Sequence, residues 1–142
     1  MRKLLLPFDG SDNAVRALKH AVKLAKRDGQ VSIHAVIAHE EPAIYGEIAV
    51  YVSHEKMAEL QRQHSEAILS AAEKLLKRAG IPFKTEVLIG HVPAVIAKRA
   101  DELRCDGIVM GTRGMTAIGN LVMGSVATKV VHLARMPVTL VK

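Results

Sequence analysis

The 142-residue chain has one cysteine, no tryptophan, two Phe, two Tyr and five Pro. A lone Cys105 excludes an intramolecular disulfide, so no disulfide framework is available to support the fold. Its default role is that of a small buried hydrophobe, with a reactive thiol as the less favoured alternative. The scarcity of aromatic residues excludes an aromatic-rich core and gives no base-stacking platform for single-stranded nucleic acid. No apolar run approaches the length needed to span a membrane, and the first residues lack the three-part pattern of a signal peptide. A reducing cytoplasm is therefore the expected compartment.

What is present is aliphatic and basic. Hydrophobic residues make up 49% of the chain, which with so few aromatics means a core of Val, Ile, Leu, Ala and Met. That composition suits a parallel sheet covered by helices. The formal charge is +6. A positive field attracts nucleic acid, anionic surfaces or small anions without choosing among them. Much of it falls on Arg16, Lys19, Lys23, Lys26 and Arg27, where the default expectation is a solvated helix face.

The order of elements is legible from changes of period. Lys3 to Phe8 reads as a buried strand closed by the turn Asp9-Gly10-Ser11-Asp12. Ala14, Val15, Leu18, Ala21, Val22 and Ala25 then recur at helical spacing, with Ser11 or Asp12 as cap and Gly29 as terminator. Val31 to Ala38 is a second strand, and Glu40 to Ser53 a long connection. Met57, Leu60, His64, Ile68, Ala71 and Leu75 mark the expected inner side of a second helix ending at Gly80 and Pro82. Phe83 to Ile89 is a third strand. Pro93 opens a third helix bearing Val95, Ile96, Ala100 and Leu103. Asp106 to Met110 is a fourth strand, Val126 to Ala134 a fourth helix, and Val138 to Val141 a fifth strand.

This alternation predicts one α/β domain over residues 1–142, with parallel strands, right-handed crossovers and a ligand site beyond the carboxyl ends of the strands. The unusual residues fall at those ends. From Gly111 to Ser125 the chain runs Gly, two residues, Gly, nine residues, Gly-Ser. In this reading Gly111 and Gly114 turn the backbone at positive φ, Gly124 lets amides approach an anion, and Ser125 adds a hydroxyl. The N-terminus of the fourth helix supplies free amides and a positive dipole end. The segment therefore reads as a phosphate-binding loop. Arg113 is equally readable as a phosphate ligand or a solvated side chain, and Asp9 as a ribose or Mg²⁺ ligand or a helix cap.

Two enzyme classes fit poorly. A dinucleotide oxidoreductase needs G-x-G-x-x-G after an early strand, and an ordinary P-loop ATPase needs a Lys beside its last loop glycine; neither pattern is present. Fast hydrolysis consequently has no support, and no general base can be assigned. The seven histidines form no recognised ligand spacing, and satisfied packing is expected for His34 and His64.

With Leu4-Leu-Leu-Pro-Phe-Asp9-Gly-Ser11, Val36, Val109-Met-Gly111-Thr-Arg-Gly114, Gly124-Ser125-Val126 and Pro137-Val-Thr-Leu-Val141 in view, the whole chain resembles the universal stress protein family, in its ATP-binding subgroup. The resemblance implies an open five-stranded parallel sheet in the order 3-2-1-4-5, flanked by about four helices, with ATP across the split between strands one and four. It implies that Pro7, Phe8 and Asp9 line the adenosine side, that Val36 meets adenine, and that Met110 and Gly111 border the ribose. Arg113, Gly114, Gly124, Ser125 and Val126 would hold the phosphates, and ATP could bring Mg²⁺ with it. The implied role is a nucleotide-dependent regulatory or stress-adaptation module acting on an unidentified protein partner. A slow Mg²⁺-dependent ATP hydrolase and a nucleotide-independent dimeric module are the alternatives. The fifth strand, at a sheet edge, is the expected homodimer contact.

Overall fold

A computed structural model describes residues 1–41, 53–112 and 123–142. Five strands and four helices alternate among the described residues. They are β1 (Arg2–Pro7), α1 (Asp12–Asp28), β2 (Val31–His39), α2 (His54–Ala79), β3 (Phe83–Ile89), α3 (Val92–Glu102), β4 (Gly107–Gly111), α4 (Ser125–Leu133) and β5 (Val138–Val141). All pairings are parallel and the sheet order is β3-β2-β1-β4-β5. The expected topology holds.

Because successive residues of a strand face opposite sides, β1 feeds two cores. Leu6 and Phe8 join Val31, Ile33, Ala35 and Ile37 beneath α1 and α2. Leu5 joins Val36, Ile108 and Met110 beneath α3 and α4. Leu5, Leu6, Leu18, Leu76 and Ile108 are wholly inaccessible. Each such side chain stabilises the fold by roughly 1.5–3 kcal/mol relative to an exposed one.

The caps explain where the helices stop. Ser11 Oγ accepts the Ala14 amide at 3.2 Å and opens α1. Gly29 at φ 76° and Gly80 at φ 71° end α1 and α2 in the left-handed region that glycine adopts without steric cost.

Helix α2 corrects one expectation. Its buried residues are Ser65, Leu69, Ala72 and Leu76, with Ile68 and Leu75 partly buried, while Leu60, His64 and Ala71 are exposed. The inner stripe is thus rotated from the one that apolar identity suggests, because small residues at 65 and 72 let the helix lie close to its neighbours. His64 is accordingly a surface histidine. His34 is packed and satisfied, its Nε2 lying 2.7 Å from Glu86 Oε2.

Candidate functional site

Strand β1 is paired unequally on its two sides. Its ladder with β2 runs from Arg2↔Val31 to Pro7↔Val36, and the Phe8 amide extends it by donating to the Val36 carbonyl at 2.7 Å. Its ladder with β4 contains only Leu4↔Gly107 and Leu5↔Ile108. Pro7 and Met110 stand level two residues later, but the pairing has lapsed. The sheet is therefore split between β1 and β4 at its carboxyl end, where the strand order reverses. This is the position at which open parallel sheets take ligands.

The β1 side of the split is a hydrogen-bonded turn. Asp9 Oδ1 accepts the Ser11 amide at 2.9 Å, and Ser11 in turn caps α1. Asp9 thus supports the turn directly and the helix cap through it, while remaining partly exposed. Gly10, at φ 83°, supplies the reversal between them.

The β4 side differs from its sequence reading. Gly111 is the last residue of β4 and has no positive φ. The absence of a side chain there serves close packing: a Cβ would lie 2.8 Å from Asn13 Cβ and 3.0 Å from the Asn13 carbonyl carbon. Asn13 is buried in the first turn of α1, and its Oδ1 accepts from the Arg16 guanidinium. Gly111 therefore sets how near α1 approaches the split. Thr112, also buried, takes its amide to the Val141 carbonyl at 3.0 Å and offers its own carbonyl to the Gly124 amide at 2.6 Å.

That last bond means that Gly124 does not offer its own amide to a ligand. Its own amide is committed to Thr112, and its backbone, at φ −75° and ψ 167°, is open to any residue. As N-cap of α4 it provides no capping side chain. The amides of Ser125, Val126 and Ala127 follow it in the first turn and have no acceptor among the described residues. First-turn amides of this kind, at the positive end of a helix dipole, suit an anion. Ser125 is exposed beside them and Val126 is half-buried.

The other sequence-derived residues occupy distinct environments. Phe8 points into the core under α1 and α2, whereas Val36 and Met110 point into the core under α3 and α4. Pro7 is half-buried at the end of β1. Arg113 and Gly114 lie outside the described residues. Sequence reasoning missed Asn13 and Thr112. An Asn in the first turn after a Ser cap and a Thr directly after the strand were visible, but their importance depends on contacts across the fold.

Electrostatically, the best-defined cluster lies away from the split. Glu86 on β3 accepts from Arg99 Nε at 2.9 Å as well as meeting His34, and Arg99 also reaches Glu102 at 3.1 Å. Burial opposes ionisation of Glu86, but the bonds from His34 and Arg99 outweigh it and hold its carboxyl below the usual value. Burial pushes the Cys105 thiol up; Lys3 and Arg99 oppose that shift and Asp106 adds to it. Among the described residues there is no grouping of three His, Cys, Asp or Glu suited to a metal ion, and no helix long and apolar enough to cross a membrane.

The strand order and the split beside β1 define an open parallel α/β protein whose strand order reverses between β1 and β4. The chain belongs to the universal stress protein family, whose model matches residues 1–142. A universal stress protein of Methanocaldococcus jannaschii is 32% identical over 141 residues, spanning 99% of this chain and 82% of that relative. The structure of a universal stress protein from Lactobacillus plantarum superposes with a TM-score of 0.85 at 23% identity, covering 99% of this chain and 97% of the other. At that identity the likeness speaks for the fold. A universal stress protein from Archaeoglobus fulgidus, solved in complex with dAMP, is 26% identical, with a TM-score of 0.66 and coverage of 100% and 98%.

Proposed function

We propose that this chain binds an adenine nucleotide, ATP in particular, at the split between β1 and β4 and uses its occupancy as a regulatory signal in stress adaptation. The observation that carries this reading is the two-pair β1–β4 ladder, which leaves the carboxyl ends of both strands apart beside the first turn of α4. The dAMP complex of the Archaeoglobus relative supports the choice of base. In this reading the nucleoside lies against Pro7 to Asp9 and Val36, the ribose meets Met110 and Gly111, and the phosphates meet Ser125, Val126 and the Arg113-Gly114 segment. Asp9 retains one carboxylate oxygen outside its turn bond, available to a ribose hydroxyl or to Mg²⁺ carried in with the nucleotide. Binding that favours one conformation or assembly shifts its population, so a switch requires no turnover.

Calorimetric titration of nucleotide-free protein with ATP, AMP and cyclic AMP tests the reading. Saturable heat is expected, and Gly124→Val should weaken binding by about tenfold or more by crowding the first-turn amides, a loss of about 1.4 kcal/mol. Absence of binding to every adenine nucleotide would remove the proposal. We further propose that β5, the edge strand beyond β4, is the homodimer contact. Sedimentation as a monomer at micromolar concentration would overturn that part.

A further inference from the structure

We propose a second binding surface, separate from the split: the groove between α1 and α2 receives an acidic protein segment that inserts one apolar side chain. The groove has a volume of about 250 Å³ and is lined by Leu18, Val22, Leu75 and Ala79, with Lys19, Lys26 and Arg78 among its walls. Leu18 is completely inaccessible, whereas Val22, Leu75 and Ala79 are only half-buried, so the apolar surface remains open along the groove. All three cations are exposed.

Among the described residues, no carboxylate lies within salt-bridge distance of Lys19, Lys26 or Arg78. Two acids of the same helices are engaged elsewhere: Asp28 pairs with Arg2 and Arg27, and Glu73 accepts from Thr85. The N-terminal half of α2 behaves differently, since Arg62 there is matched by Glu59 and Glu66. Arg62 is thus paired within its own helix, whereas the three groove cations have no such pair among the described residues.

Size and sign select the occupant. About 250 Å³ is below the range typical of sites that enclose a whole small ligand, roughly 300–1,000 Å³, but it accommodates an anchoring side chain. A second copy placed groove to groove would bring like charge, and the net charge of +6 gives no overall attraction between copies. An acidic segment with an aliphatic or aromatic anchor satisfies both the floor and the walls, the pairing of apolar centre and charged rim that peptide-binding grooves use. This inference does not depend on nucleotide binding at the split.

Fluorescence anisotropy with a panel of labelled peptides, each placing acidic residues around one Leu, Phe or Met, tests the proposal on the full chain. Saturable binding is expected, weakening as salt is raised. The triple variant Lys19→Glu/Lys26→Glu/Arg78→Glu should lose about tenfold or more. Leu75→Ala should lose about fivefold. Lys84→Glu, on the exposed edge of β3, should leave binding unchanged, and circular dichroism should show all variants folded. The proposal is overturned by absence of saturable binding. It is equally overturned if peptides with Ala in place of the anchor bind as tightly, or if phosphatidylglycerol vesicles or a single-stranded oligonucleotide bind the same residues more tightly than any peptide.

Discussion

The two sides of β1 show how one strand can be held firmly along one edge and left open along the other. Toward β2 its ladder extends from Arg2 to Pro7 and is prolonged by Phe8; toward β4 it ends at Leu5. The strand keeps its long partnership on one side, while its apolar side chains secure it above and below. Backbone pairing can therefore lapse on the other side without loosening the centre of the sheet. The difference assigns holding to side chains and opening to backbone.

The strongest way to break that division is to remove a side chain that holds β1 beyond its last pairing with β4. Leu6→Ala, at a wholly inaccessible position, is expected to cost about 3 kcal/mol, within the 2–5 typical of such truncations. Urea unfolding should show a lower midpoint at unchanged slope. A slope change would indicate that the substitution had altered the compactness of the native or unfolded state or broken two-state unfolding, beyond the loss of packing.

Gly111→Ala tests the open side. Its new methyl would meet Asn13 at 2.8 Å, much of the contact being with backbone, and overpacking of this kind costs roughly 1–3 kcal/mol. For a chain of this size that corresponds to a fall of about 2–4 °C in Tm per kcal/mol. An unchanged Tm in the single variant would mean that α1 yields and that its distance from the split is not fixed by Gly111.

The smallest effect concerns acid. Glu86 has a depressed carboxyl in the folded state, so its contribution is present above the unfolded value of about 4.3 and is lost as pH falls through the lower folded value. Glu86→Gln should therefore flatten part of the stability loss below about pH 4, by no more than about 1 kcal/mol because the pair with Arg99 is partly exposed. Parallel acid-unfolding curves for the two proteins would show that the network contributes nothing through its charge.

The fold was largely written in local pattern. Strands at Phe83–Ile89 and Val138–Val141 occupy the bounds that their apolar runs predict, and the Ser11 cap and the Gly29 and Gly80 terminators act as their residue types require. The inner face of α2 was not legible from apolar identity, because Ser65 and Ala72 are chosen for smallness and hydropathy does not record how closely two elements approach. The site divides in the same way. Its location at the strand ends follows from the order of elements. The work of Gly111 depends on Asn13, ninety-eight positions earlier in the sequence, and that of the Gly124 amide on the carbonyl of Thr112. Spacing shows where small residues occur, while the neighbour that requires smallness is a tertiary fact.

The buried thiol of Cys105 has a practical consequence. Its side chain lies in the core under α3 and α4, and burial holds it in the unreactive protonated form. A cysteine introduced on the exposed wall of the α1–α2 groove, as in Lys19→Cys, would be the readily alkylated thiol while Cys105 stayed native. A single reporter dye could then be attached there without first re-engineering the core, giving a direct optical readout of what enters the groove.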